Sequence, residues 1–423
     1  MKKKIIYLII GIVLIISIGI CFIIALKNKS NNNVSTSESN VLNNSTIKKG
    51  GTYEITGDNS CIVIDTNEDV TLELNDALIT CDNGPAINAE NAKNVTIKIT
   101  GNNKINSTTT EELDGAIYAK NDLTLEGTGT LEIISNLDGI VSKDNLVING
   151  GKYVINSTDD GIRGRDSVVI NDGDFNITSK GDAIKATNDE DETKGYINIL
   201  GGTYNINSEK DGIQAETNLT IKDGTITIKT IGDPDADSSK GLKSNVLTTI
   251  DGGKITINST DDSIHSNGNV VINGGELVLS SNDDSVHADG MVEINNGTID
   301  INSSEGIEAT YVKINDGTVN ISASDDGINA SNKSDSYSVK VEINGGNISI
   351  KMGQGDTDGI DSNGDLLITG GIINIEGQSA FDYDGVGSYT GGTLIVNGET
   401  INSLTNQMMG GMGGPRDNFR PGM

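Results

Sequence analysis

Apolar residues recur along the chain at alternate positions, in short bursts separated by glycine, asparagine and serine. The stretch 160–179 shows the unit: Ile162, then Val168 with Ile170, then Phe175 with Ile177. A period of two marks a strand with one face turned inward. Asn-Gly turns such as Asn149-Gly150-Gly151, Asn273-Gly274-Gly275 and Asn344-Gly345-Gly346 separate the second burst from the third, where positive φ is cheap for Gly or Asn. Three strands and three turns in about 22 residues predict a triangular coil.

The unit repeats. It reads Asp-Gly-Ile-x-Ala/Ser, a short linker, Val-x-Ile-Asn-Gly-Gly, then x-Ile-x-Ile-x-Ser, with the clearest copies starting at Asp160, Asp262, Asp284, Glu305 and Asp326. Asp114, Asp138, Asp182, Asp211, Lys240 and Asp358 fill the same position, and the longer intervals 182–211, 211–240 and 326–358 carry insertions. Strands this short gain full backbone pairing only by stacking coil on coil, about 4.8 Å apart. The expected fold is an all-β, right-handed single-stranded parallel β-helix, a solenoid spanning residues 47–405. Its core is the column Ile140, Ile162, Ile184, Ile213, Ile264, Ile307, Ile328 and Ile360, and two less regular coils, around Gly51–Ile79 and Asn83–Ile105, begin the stack. Propeller blades, leucine-rich repeats and the glycine-aspartate nonapeptides of a calcium β-roll have signatures absent here.

The ends differ from this pattern. Ile5–Leu26 is an apolar run long enough to span a bilayer, and Lys2, Lys3 and Lys4 before it place residues 1–4 in the cytoplasm. The expectation is a membrane signal anchor over 5–26 and a chain held on the extracellular face of the cytoplasmic membrane. Processing to a secreted protein or a lipoprotein is the alternative, since Ile18-Gly19-Ile20-Cys21 approximates a lipoprotein cleavage box. Residues 27–46, rich in Asn and Ser, read as a tether, and residues 406–423, rich in Gly and Met, as a tail with too few apolar positions for a core.

Charge narrows the partners. Among 423 residues, 60 are acidic and 30 basic, a formal net charge of −30, so nucleic acid and other polyanions are repelled unless a cation intervenes. Position matters more than the total. Stacking should turn Asp160, Asp182, Asp211, Asp262, Asp284, Glu305, Asp326 and Asp358 into one column, interrupted by Lys240. Carboxylates about 4.8 Å apart repel by roughly 3–4 kcal/mol at an effective dielectric near 20, so they take up protons, find backbone donors or hold cations. Doubled acids at Asp159-Asp160, Asp261-Asp262, Asp283-Asp284 and Asp325-Asp326, with Asp356 and Asp361 beside Asp358, offer the hard oxygens that Ca²⁺ prefers. The same aspartates can equally serve as turn residues capping backbone N–H groups.

The chain has two histidines, His265 and His287, each three residues after a column acid. They read either as solvent-facing rungs or as a two-imidazole metal site. Cys61 and Cys81 stand about one coil apart, within disulfide reach if their coils are adjacent, or are two buried small side chains.

The Asp-Gly-Ile coils, Asn-Gly-Gly turns, Asn/Ser tether and Met/Gly tail together resemble a family of secreted bacterial carbohydrate-binding β-helix proteins, similar in fold to calcium-dependent pectate lyases. The resemblance implies a non-catalytic polysaccharide binder using Ca²⁺, for acidic polygalacturonate-like or cellulosic glycans; the chain is expected to be a monomer. The lyases' Asp-Gly-x-Asp calcium pattern matches Asp358 and Asp361, and their double-Asp element matches Asp261-Asp262, Asp283-Asp284 and Asp325-Asp326. The chain has no Trp to grip a flat crystalline glycan, which favours acidic ones. Two rivals are a calcium-dependent lyase, with Arg163, Lys185, Lys240 or Lys243 as the base, and a surface adhesin without a glycan ligand.

Overall fold

The computed structural model describes residues 40–41, 46–108, 113–233, 238–355 and 357–406. The anchor, most of the tether, Asp356 and the tail beyond Asn406 fall outside these residues. Among the described residues no helix is long and apolar enough to cross a membrane.

The described chain is all β, with 41 strands joined in one hydrogen-bonded sheet. Within the array, strands pair in parallel with the strand one repeat earlier and the strand one repeat later. First strands give the register Ile117, Ile140, Ile162, Ile184, Ile213, Leu242, Ile264, Val286, Ile307, Ile328, Ile360, Phe381. Second strands such as Tyr196–Ile199 and Asn218–Ile221 form their own series, as do third strands such as Thr203–Ser208 and Thr225–Thr230. Among the described residues pairing begins at Asn40–Val41, inside the segment read as a tether, and extends through the less regular turns that open the series.

Alternation explains the interior. Ile162, Val168, Ile170, Phe175 and Ile177 are at most 1% exposed, and burying each contributes roughly 1.5–3 kcal/mol. Tyr153, Phe175 and Tyr204 stack on successive turns, with ring centroids 5.1 and 4.9 Å apart. The two tyrosine hydroxyls donate to the carbonyls of Gly150 and Gly201, both at 2.8 Å, so their polar tips are satisfied at the glycine turn. That turn needs glycine: φ is 105° at Gly151, 101° at Gly275 and 89° at Gly346.

Cys61 and Cys81 form a disulfide with Cα atoms 4.9 Å apart. They are not successive members of one column. Cys81 ends a third strand, opposite Ser107, whereas Cys61 precedes the first strand Ile62–Ile64, so the bond ties two neighbouring positions across a corner.

At the other end the pattern changes direction. The strand Thr393–Val396 pairs in parallel with Ile372–Glu376 on one side and antiparallel with Glu399–Ile401 on the other. The hairpin turns on Asn397 and Gly398, at φ 51° and 81°, the positive pair that two-residue hairpins favour.

Phe175→Ala removes the middle ring of the aromatic stack and leaves a cavity. It should cost about 3–5 kcal/mol, measured as a lowered urea midpoint followed by circular dichroism.

Candidate functional site: a carboxylate column

The residue two before each first-strand isoleucine stands at a corner of the turn, and parallel register places these residues over one another. In one consecutive run each carboxylate uses an oxygen to accept the backbone N–H of the residue stacked next to it. Asp138 accepts from Asp160 at 2.9 Å, Asp160 from Asp182, Asp182 from Asp211 and Asp211 from Lys240, all three at 2.8 Å. The pattern recurs from Asp262 to Asp284 at 3.2 Å and from Asp326 to Asp358 at 2.8 Å. Backbone capping and charge stacking therefore coexist in one side chain. Spacing assigns Asp114 to this column, but the register pairs Gly115 with Asp138, so Asp114 falls one residue short.

The second oxygen decides the electrostatics. Three residues on, a second column runs Arg163, Lys185, Gln214, Lys243, His265, His287, Glu308, Asn329, Asp361, Asp382. Its first members are counter-ions. Arg163 bonds Asp138 through Nε at 2.7 Å and also reaches Asp114. Lys185 pairs with Asp182 at 2.5 Å, Lys243 with Asp211 at 3.3 Å, His265 with Asp262 and His287 with Asp284, both at 2.7 Å. Lys240 does not merely interrupt the carboxylates: its Nζ lies 2.6 Å from Asp261 and 3.1 Å from Asp262.

These contacts revise the expected calcium ladder. Asp261, Asp262 and Asp283 do bring donor atoms within 4.8 Å of one another, as do Asp138, Asp159 and Asp160, but Lys240 is bonded into the first set and Arg163 into the second. Asp284 turns to His287 and does not complete a four-carboxylate cage. Asp159, Asp283 and Asp325 are exposed. Asp138, which belongs to the column by repeat position, is buried and paired with Arg163, and burial, offset in part by Arg163, raises its pKa to about 6.

Beyond His287 the second column changes sign. Glu308, Asp361 and Asp382 now stand beside Glu305, Asp326 and Asp358, and Lys333 on Glu308, at 2.9 Å, is the cation seen there among the described residues. Burial, then the charges of Asp361, Asp325 and Asp358, raise Asp326 to about 7. Burial, then Asp382, Asp358 and Asp384, raise Asp361 to about 6. Glu305 also rises to about 7, through burial and then Glu308 and Asp326, against a hydrogen bond from Asn329. Buried oxygens of Asn329, Thr357 and Ser379 lack hydrogen-bond partners in the same region, and Ser379 lies in register with Asp358. The donors here are oxygens, the set a hard cation prefers. They are spread along the strands, and of the tight triads formed among the described residues one reaches this region, through Glu308.

The family model described as carbohydrate-binding domain-containing protein matches residues 42–285 and 278–407, almost the whole described chain. The chain belongs to this carbohydrate-binding domain family. A solved polysaccharide lyase-like protein from C. thermocellum, in its gadolinium derivative, is similar to this carbohydrate-binding domain at 28% identity, over 48% of this chain and 86% of the other, with a TM-score of 0.45. No curated protein matches it.

The raised carboxyls set a pH dependence. A carboxyl whose folded pKa exceeds its unfolded value, near 3.9, binds protons more tightly when folded, so its stabilising contribution is complete below about pH 4 and is lost as pH rises to about 7. For Asp326, Asp361 and Glu305, the melting temperature of metal-free protein should fall by several degrees between pH 4.5 and pH 7.5. Asp326→Asn with Asp361→Asn should flatten that slope in a differential scanning series.

Proposed function

We propose that this chain is a non-catalytic, calcium-dependent binder of acidic polysaccharide, built as a right-handed single-stranded parallel β-helix and displayed outside the cytoplasmic membrane. Membership of the carbohydrate-binding domain family, with matches covering both halves of the repeat array, is the observation that carries the glycan reading. Electrostatics adds the cation. A chain of net charge −30 holds a polyuronate only through a bridging positive charge. Asp326, Asp358, Asp361 and Asp382, at the end of the column that supplies little of its own positive charge, are the groups proposed to provide it. Calcium takes six to eight oxygens and tolerates carboxylates, hydroxyls and sugar oxygens in one shell, so one ion can be shared between protein and ligand.

The ion pairs favour binding over lysis. A lysine acting as general base needs its pKa brought down toward the working pH. Burial acts in that direction on Lys185 and Lys240, but Asp182 and Asp160 outweigh it at the first, and Asp262 and Asp261 at the second, so both pKa values rise. Arg163 is likewise raised, its burial outweighed by Asp138 and Asp114. The basic residues nearest the column are thus held as structural cations.

Isothermal titration of the full chain with polygalacturonate oligomers, in calcium and again after chelation, tests this reading. Binding should appear with calcium, vanish with chelator, and weaken at least tenfold in Asp358→Asn with Asp361→Asn. Absence of binding in both conditions, with melting still dependent on calcium, would point to the adhesin. Release of an ultraviolet-absorbing unsaturated uronate would point to the lyase.

A further inference from the structure

The counter-ion column passes through Lys243, His265 and His287 on three successive turns. An ammonium at this position can only neutralise. An imidazole can also ligate, and at His287 the surroundings are those of a ligand set. Its Nδ1 lies 2.7 Å from Asp284 Oδ2 and 3.2 Å from Glu308 Oε2. Lys333 engages the other oxygen of Glu308, leaving Oε2 directed to the imidazole. The three side chains are 13%, 8% and 9% exposed. One turn earlier the ring of His265 stacks on His287 at a centroid distance of 4.7 Å, with Nδ1 on Asp262 at 2.7 Å. Donor atoms of Asp262, His265 and His287 also lie within 4.8 Å of one another, so two overlapping triads share His287.

We propose that Asp284, His287 and Glu308 form a site for a divalent transition ion of the zinc class, held by the imidazole Nδ1 and one oxygen from each carboxylate. Zinc binds nitrogen and carboxylate oxygen at about 2.0–2.2 Å, usually in a tetrahedron, which sets donors about 3.4 Å apart. The imidazole's spacing to Glu308 needs to open by about 0.2 Å and its spacing to Asp284 by about 0.7 Å. Binding would release the proton now held between the imidazole and its carboxylates, exchanging one positive charge for two in a strongly acidic neighbourhood. The site is separate from the all-oxygen region proposed for calcium, because a borderline ion favours imidazole where a hard one does not.

Metal-free full-length protein carrying no histidine tag should be titrated with ZnCl2, CaCl2 and CoCl2. About one zinc ion per chain is expected at this site, with cobalt giving visible bands of tetrahedral intensity. His287→Lys restores the ammonium that Lys243 presents two turns earlier, keeping the neutralising charge while removing the imidazole. It should weaken zinc at least tenfold, abolish the cobalt bands and leave the calcium response intact, whereas Asp358→Asn with Asp361→Asn should leave zinc binding unchanged. Glu308→Gln supplies the same reading if the lysine variant folds poorly. Zinc binding no tighter than calcium, or retained in His287→Lys or in Glu308→Gln, overturns the proposal and leaves His287 as a counter-ion alone.

Discussion

Parallel pairing in register is the constraint from which the rest follows. It places every residue about 4.8 Å from its counterpart one turn away, so each position in the repeat becomes a column of like chemistry. For isoleucine this is an advantage, because one buried column leads directly into the next. For aspartate it is a problem, since the corner that needs a short acceptor for the backbone is also the corner where negative charge accumulates.

The chain resolves that conflict differently along its length. Through Arg163, Lys185, Lys240 and Lys243 it carries permanent cations three residues from the column, or within it. At His265 and His287 the side chain facing the acid is an imidazole, and burial at His287, which alone would lower its pKa, is outweighed by Asp284 and Glu308, which raise it to about 10. From Glu308 onward the neighbouring column is itself acidic or neutral. A gradient therefore runs along a single corner, from carboxylates paired with their own cations to carboxylates set beside other acids.

Much of this was legible in the residues. Period-two clusters locate the strands, Asn-Gly turns locate the bends, and a fixed interval implies that Asp160 and Asp182 share a column. What stayed hidden was which neighbours answer the charge. Arg163 and Lys185 read as candidate bases, and only the side-chain geometry brings their cationic groups onto the carboxylates. Lys240 read as a gap in the acidic run, whereas it is clamped between Asp261 and Asp262. Asp114 was misplaced by one residue because Ala116 puts it three residues before Ile117 rather than two, and register is set by Ile117 meeting Ile140 rather than by the acid. For the cysteines, spacing suggested a vertical pair, and the bond in fact crosses a corner, as an interval slightly shorter than one repeat requires.

The hairpin at residues 393–401 has a consequence for assembly. An array of stacked strands ends in three open edges, and an end that looks like the middle invites a second molecule to continue it. Here the third series finishes in a reversed strand. A newcomer adding to Glu399–Ile401 would pair alongside a chain segment running opposite to the first and second series, and could not extend all three edges at once. The reversal leaves this end of the described strands without the uniform parallel edge found elsewhere in the array.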